Sequence, residues 1–255
     1  MNPLLLMLRS ELHGNLPRSL RMKLVPLVTA FGVLLAGLGS TPGWAAEQEG
    51  LALGIVYDTS GSMSEPVRDK SGGQSPKYII ANRALVAIAR QIETFATNNS
   101  GRKVECGLFT FQGERAREAV HFGPFDAGAL QNWARQFSRP NGNTPLGNAL
   151  STASRFVLTS PLKRKHVLVI TDGLNTAGPK PEAVLPGIKE EASRKQTPVY
   201  VHFVAFDVDA KQFSVVKQLG ATVVGAADEN QLNAQLHSIL QERILLEDEE
   251  PPKTK

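Results

Sequence analysis

Cysteine is almost absent from this sequence of 255 residues, since Cys106 is the only one. No intramolecular disulfide can therefore form, and the core must be held together by packing rather than by covalent cross-links. Cys106 lies within residues 104–111, a run with a strand pattern. We therefore expect a buried and unreactive thiol at this position.

Common signatures of catalysis and nucleotide binding are also missing. The sequence has no GxxxxGK[ST] phosphate loop, no GxGxxG fingerprint and no Ser-His-Asp order. The histidines show no metal-ligand spacing, and they are His13, His121, His166, His202 and His237. His202 lies in an apolar strand pattern, so we interpret it as a core residue.

No apolar run reaches the roughly 20 residues that span a bilayer comfortably. The longest, residues 24–38, follows basic residues and precedes small ones that end at Ala46. This order is typical of a cleaved signal peptide. We predict that residues 1–46 direct export and that the cut follows Ala45 or Ala46, with Met22 as an alternative start. An uncleaved N-terminal anchor is the alternative interpretation.

Neither sign of charge dominates once this leader is set aside. Of the 28 basic and 24 acidic residues, four basic and one acidic lie in the leader, which leaves 24 and 23 and a net charge of +1. The alkaline character therefore belongs largely to the leader, and nucleic-acid binding is not implied. We expect a periplasmic or secreted protein with no integral membrane span in the mature chain.

Strand and helix patterns alternate along the mature chain. The predicted strands are residues 51–57, 104–111, 118–122, 167–171, 199–206 and 222–225. The predicted helices are residues 76–98, 126–137, 145–157, 181–195, 211–219 and 230–245. Ser75 and Pro76 fit the N-cap and first position of the first helix, and Lys163-Arg164-Lys165 is interpreted as a solvated turn before the fourth strand.

This alternation predicts an α/β fold with a doubly wound, mostly parallel central sheet and helices on both faces. Residues 118–122 are predicted to be one short antiparallel edge strand. One domain should cover residues 47–246, because this length is enough for a single substantial core. Residues 247–255 should be a disordered acidic tail.

Oxygen-bearing side chains follow the first predicted strand at alternate positions: Asp58, Ser60 and Ser62. Hard divalent cations prefer oxygen ligands, and Mg2+ takes six of them at about 2.0–2.1 Å. Three residues leave that shell incomplete, so other segments must add donors. Asp172 ends another predicted strand, and ligands bind at the carboxyl ends of strands in such sheets. We therefore expect Asp58 and Asp172 to be neighbours.

Thr144, on a loop before a predicted helix, supplies a third segment. The combined pattern is DxSxS, a loop Thr and a strand-end Asp-Gly, formed by Asp58-Thr59-Ser60-Gly61-Ser62, Thr144 and Asp172-Gly173. With the order of elements over residues 50–245, this pattern resembles a von Willebrand factor A domain (a Rossmann-like fold) that carries a metal-ion-dependent adhesion site.

The resemblance implies a role for each of these side chains. Ser60, Ser62 and Thr144 would bind the metal directly, whereas Asp58 and Asp172 would act through waters and hydrogen bonds. The metal would be Mg2+, with Mn2+ or Ca2+ as alternatives. The open coordination position would take an Asp or Glu carboxylate from a partner protein.

The polar segment at residues 63–75 carries two further acids close to this motif, Glu65 and Asp69. We hypothesise that the segment forms a rim that helps to select the partner. Glu65 is expected to occupy the open metal position when no partner is bound.

Two other functions remain open. A strand-end Asp58 with Mg2+ also describes phosphoryl-transfer hydrolases of the haloacid dehalogenase type, but these have a second Asp two residues later, where this chain has Ser60. We therefore predict a binding module and not an enzyme. The second alternative is a structural von Willebrand factor A domain without an active metal site.

Overall fold

The protein is represented by a computed structural model that describes residues 48–245. The predicted leader and acidic tail lie outside the described residues. The strands are β1 (Gln48–Tyr57), β2 (Pro66–Arg68), β3 (Gln74–Pro76), β4 (Lys103–Gln112), β5 (Arg115–Pro124), β6 (Leu162–Thr171), β7 (Tyr200–Phe206) and β8 (Thr222–Ala226). The helices are α1 (Lys77–Asn98), α2 (Ala127–Gln136), α3 (Leu146–Thr159), α4 (Pro181–Arg194), α5 (Ser214–Gln218) and α6 (Glu229–Ile239).

Six strands form one sheet in the order β5-β4-β1-β6-β7-β8. β1 pairs in parallel with both β4 and β6, and β7 and β8 continue the parallel arrangement. β5 pairs antiparallel with β4 at the edge. The predicted doubly wound sheet with one antiparallel edge strand is therefore confirmed, although β5 is longer than the predicted residues 118–122.

An apolar layer covers each face of the sheet, and β1 is therefore buried on both sides. Leu53 and Ile55 contribute to the layer beneath α1, α2 and α6, whereas Ala52 and Val56 face the layer beneath α3 and α4. Fully burying one such Leu, Ile or Val side chain contributes about 1.5–3 kcal/mol. The uninterrupted apolar character of β1 follows from this double coverage.

Cys106 lies in β4 with 4% of its surface exposed and is a free cysteine. Burial raises the pKa of its thiol to about 12. The prediction of a buried thiol is therefore confirmed. Among residues 48–245, no helix is long and apolar enough to span a membrane.

The start of α1 differs from the prediction. The helix begins at Lys77, and Pro76 is the residue that precedes it, without a capping side chain. Ser75 instead belongs to β3, where its hydroxyl donates to Asp69 Oδ2 at 2.9 Å. The polar segment before α1 is a two-stranded hairpin, β2–β3, which local periodicity did not reveal because only Val67 is buried in its strands.

The basic run before the fourth predicted strand is also different. β6 already begins at Leu162, and Arg164 and Lys165 pair with residues of β1. Lys165 is 2% exposed, and its ammonium donates to the Leu162 carbonyl. The interpretation of this run as a solvated turn was therefore wrong. The last predicted helix also divides, since α6 is followed by a π-helical turn at Leu240–Leu245.

Candidate metal centre

The predicted site residues lie at the carboxyl edge of the sheet, on loops that follow neighbouring strands. Asp58 comes directly after β1, and Asp172 directly after β6. The two strands are adjacent, and the backbone N–H of Asp58 donates to the carbonyl of Ile170 at 3.0 Å. This pairing places the two acids next to each other, as the strand order predicts.

Close oxygen–oxygen contacts join four of the predicted side chains, and the two outer contacts are hydroxyl–carboxylate hydrogen bonds. The hydroxyl of Ser60 donates to Asp58 Oδ1 at 2.5 Å, and its backbone N–H donates to the same oxygen at 2.8 Å. Ser60 Oγ lies 3.1 Å from Ser62 Oγ. The hydroxyl of Ser62 then donates to Asp172 Oδ1 at 2.9 Å.

Thr144 faces the same space from the loop before α3, where it is 4% exposed. A Cβ atom placed on Gly173 would lie 3.8 Å from Ser62 Oγ and 3.9 Å from Thr144 Oγ1. The position of Thr144 is fixed because its N–H donates to Thr176 Oγ1 at 2.8 Å and its carbonyl accepts from Thr176 N at 3.0 Å. All five predicted metal residues therefore converge on one edge of the sheet.

The loops that carry these side chains are also fastened to each other. Gly61 donates its N–H to the Gly142 carbonyl at 3.1 Å, and Asn141 donates to the Thr59 carbonyl at 2.9 Å. Thr171, the last residue of β6, donates its hydroxyl to Asp58 Oδ2 at 2.6 Å. Sequence reasoning did not identify Thr171, although its place directly before Asp172 was visible.

The spacing of the oxygens fits a small divalent cation. Two neighbouring ligands that each lie about 2.1 Å from an octahedral Mg2+ are about 3 Å apart. The hydroxyl oxygens of Ser60 and Ser62, the two predicted direct ligands on this loop, are 3.1 Å apart. Within residues 48–245, no group of three or more His, Cys, Asp or Glu side chains is arranged to hold a metal. Hydroxyl oxygens would therefore have to complete the shell here.

The carboxylates of this edge are buried close to each other. Asp58 is 0% exposed, and burial followed by the charge of Asp172 raises its pKa to about 6, against the lowering effect of hydrogen bonds from Ser60 and Thr171. Burial likewise raises the pKa of Asp172, although Lys77 opposes this. Both shifts have the direction expected for buried carboxyls, because burial disfavours the charged form.

Lys77 is a second residue of this site that sequence reasoning missed. Its side chain is 3% exposed, and its ammonium lies 2.9 Å from Glu65 Oε2, 3.1 Å from Asp172 Oδ2 and 3.1 Å from Asp207 Oδ2. Burial lowers the pKa of Lys77, but its carboxylate partners outweigh burial and raise it above the ordinary value. A signal was present, because a lysine in the first turn of a helix opposes the helix dipole and needs an anion nearby.

The two acids of the predicted rim occupy different positions. The Glu65 side chain is 64% exposed and contacts Lys77 at the margin of the site. Asp69 serves the β2–β3 turn, where its carboxylate accepts hydrogen bonds from the N–H and hydroxyl of Ser71 and from the N–H of Gly73. Hydrogen bonds, the largest from the hydroxyl of Ser71, lower the pKa of Asp69 to about 2. Asp69 therefore shapes the hairpin.

Comparisons with known proteins agree with this architecture. Residues 53–175 match the family model of the von Willebrand factor type A domain. No curated protein sequence matches the chain significantly. Solved structures with the same fold include the PilB minor pilin from Streptococcus sanguinis, at 16% identity and a TM-score of 0.57 over 76% of this chain and 62% of the pilin.

Two further structures are similar at low identity. Proximal thread matrix protein 1 from the mussel byssus has 14% identity and a TM-score of 0.57 over 76% of this chain and 48% of that chain. It was solved with zinc in its metal-ion-dependent adhesion site (MIDAS) motif. The vWF domain of the type V pili tip protein Mfa5 from Porphyromonas gingivalis has 15% identity and a TM-score of 0.53, over 76% and 95%. The present chain thus spans about three fifths of the pilin and about half of the byssus protein. Identities this low carry the fold alone.

Proposed function

We propose that this chain, in which residues 53–175 match the von Willebrand factor type A family model, is an exported binding module that captures a carboxylate of a partner protein through a divalent cation. The observation that carries this proposal is the chain of oxygens from Asp58 through Ser60 and Ser62 to Asp172. It lies at the edge of the sheet where such folds bind their ligands.

The hydrogen bonds support different roles for hydroxyls and carboxylates. Both oxygens of Asp58 already accept hydrogen bonds, from Ser60 and from Thr171. Asp58 would therefore orient Ser60, and Asp172 would orient Ser62. The hydroxyls of Ser60, Ser62 and Thr144 would hold the cation, with Mg2+ as the expected ion and Mn2+ or Ca2+ as alternatives.

A cation held by neutral hydroxyls would keep most of its positive charge and attract an acidic side chain to its open position. Direct binding by both buried carboxylates would cancel that charge. Groups that orient metal ligands are often worth 10–100-fold in metal affinity. Asp58 and Asp172 are therefore expected to matter even without touching the ion.

The surroundings of the site suit a protein partner. Leu174, two residues after Asp172, is one of the exposed large apolar side chains, at 44% exposure. Exposed apolar side chains next to a polar anchor are typical of protein-binding surfaces. On the other side, Glu65 and the β2–β3 hairpin, shaped by Asp69, would form the rim that selects the partner. The zinc-occupied MIDAS motif of the byssus protein is a precedent for a bound cation in this fold.

The burial of Asp58 favours binding over phosphoryl transfer. A nucleophilic carboxylate needs a free oxygen that faces the substrate, whereas Asp58 is fully buried with both oxygens engaged. A structural domain without metal is the remaining alternative. Metal-dependent phosphatase turnover that disappears in Asp58→Asn would support the hydrolase instead.

A matched pair of serines tests the proposal. The immobilised full chain would be exposed to native extract in Mg2+ and eluted with EDTA. Ser62→Ala should lose the EDTA-eluted partner, whereas Ser64→Ala, which changes an exposed serine two residues further along, should retain it. Equal capture by Ser62→Ala and the unmodified protein, with or without Mg2+, would contradict the proposal.

A further inference from the structure

The ammonium of Lys77 lies where three strand-end loops meet. Glu65 follows the 3₁₀ turn after β1, Asp172 follows β6, and Asp207 follows β7, and each places one carboxylate oxygen within 3.1 Å of Lys77 Nζ. The lysine side chain is 3% exposed. A buried lysine is tolerated only when its charge is paired and its donors are satisfied, and here three carboxylates fulfil both conditions.

Two local features disfavour this cluster of charges: the position of Lys77 in its helix and the backbone conformation of Asp207. Contacts elsewhere in the fold must therefore stabilise it. Lys77 begins α1, where the helix dipole disfavours a cation. Asp207 has a φ of 54°, in the left-handed region that residues with a side chain rarely adopt. In that conformation its carboxylate reaches Lys77. Such costly conformations often mark functional positions.

The site contains more negative than positive charge. Four carboxylates lie at this edge, those of Asp58, Glu65, Asp172 and Asp207. Among residues 48–245, Lys77 is the only cationic side chain that forms a salt bridge with any of them. The side chain of Asp172 is 0% exposed, so its pair with Lys77 is little screened by water. Glu65 and Asp207 are 64% and 39% exposed, so their pairs contribute less.

We infer that Lys77 is a built-in counter-cation of the metal centre, which stabilises the carboxylate cluster when no metal is bound and orients Asp172 toward Ser62. Lys77 occupies Asp172 Oδ2, and Ser62 therefore donates to Oδ1. This inference rests on the proposed function for the role of the metal. It makes Lys77 a positioning residue, and it predicts a domain that is folded before any cation binds.

The first test is Lys77→Met, which keeps the length of the side chain and removes its charge. Thermal unfolding of the full chain would be measured in EDTA and in a Mg2+ titration. The variant should unfold several degrees lower in EDTA, and its midpoint should rise more with saturating Mg2+ than that of the unmodified protein, because the metal then supplies the missing charge. Lys217→Met, which changes an exposed lysine of α5, is the matched control and should change neither value.

The second test separates charge from packing and does not require a stable single variant. Asp207→Asn should destabilise the unmodified protein or leave it unchanged, but should stabilise Lys77→Met or restore its soluble yield, because it removes a carboxylate that has lost its counter-cation. An equal effect of Asp207→Asn in both backgrounds would overturn the inference. So would a Lys77→Met protein that is as stable as the unmodified one in EDTA.

The outcomes also separate this inference from the proposed function. If Mg2+ raises the unfolding midpoint of neither protein, the metal-dependent function fails. The comparison in EDTA and the effect of Asp207→Asn would then still decide the role of Lys77 in the metal-free domain.

Discussion

Two histidines buried at the opposite end of β6 and β7 predict that the domain loses stability in mild acid. His202 is 3% exposed, its Nε2 lies 3.1 Å from Nδ1 of His166, and the two rings stack with an interplanar angle of 11°. Burial, with a smaller contribution from Arg243, lowers the pKa of His202 to about 4. Burial also lowers the pKa of His166, with further contributions from His202 and Arg164.

The sign and size of the effect follow from this lowered pKa. An unfolded histidine has a pKa of about 6.5, so between that value and about 4 the unfolded chain binds a proton that folded His202 does not. The free energy of unfolding therefore falls as the pH drops through this window. For His202 alone the loss is about 2 kcal/mol by pH 5 and about 3 kcal/mol at pH 4.

Urea unfolding followed by circular dichroism at pH 7.5 and pH 5 measures this loss. The unmodified protein should lose about 2 kcal/mol more than His202→Gln, whose side chain cannot titrate. His121→Gln is the control, because the His121 side chain is 84% exposed, and it should behave like the unmodified protein. If His202→Gln and the unmodified protein lost the same free energy of unfolding between pH 7.5 and pH 5, protonation of His202 would not be the cause of the acid sensitivity.

Two further contacts can be tested by substitution: the close approach of Gly147 to Pro179 and the contact of Glu229 with the β2–β3 hairpin. In Gly147→Ala, the new Cβ would lie 2.1 Å from the Pro179 carbonyl oxygen, so urea unfolding should show a loss of about 2 kcal/mol. Gly187→Ala, which meets nothing within 4 Å in α4, should gain up to about 1 kcal/mol, and a gain in both variants would contradict this account. Glu229 is 2% exposed and accepts two hydrogen bonds from Arg83 and one from the hairpin at Lys70 N. Glu229→Gln should cost about 2 kcal/mol and speed tryptic cleavage of the hairpin, whereas unchanged cleavage would show that this contact does not hold it.

Periodicity was sufficient for the main elements of the fold but not for the hairpin. β1 is apolar at successive positions because both of its faces are covered, and α1 has apolar residues at three- and four-residue spacing because one face packs on the sheet. β2 and β3 have three residues each and bury only Val67. The Asp69 turn between them is local, but their position against the domain depends on the distant contact of Lys70 N with Glu229, which local sequence does not encode.

The same distinction applies to the site. The alternation of Asp58, Ser60 and Ser62 is local, and the strand-end position of Asp172 follows from the parallel sheet, so their proximity could be predicted. For Lys77 the sequence indicates only that a lysine in the first turn of α1 needs an anion nearby, and its actual partners come from loops after β1, β6 and β7. The basic run before β6 was misjudged for a related reason, since burial of Lys165 depends on pairing with β1.

Diffraction from crystals grown with Mn2+, recorded at a wavelength where manganese scatters anomalously, would show whether the three hydroxyls hold a cation. We expect one anomalous peak within about 2.3 Å of the hydroxyl oxygens of Ser60, Ser62 and Thr144, and no such peak in crystals of Ser62→Ala. A peak at another position, or no peak at these three hydroxyls at saturating Mn2+, would contradict it.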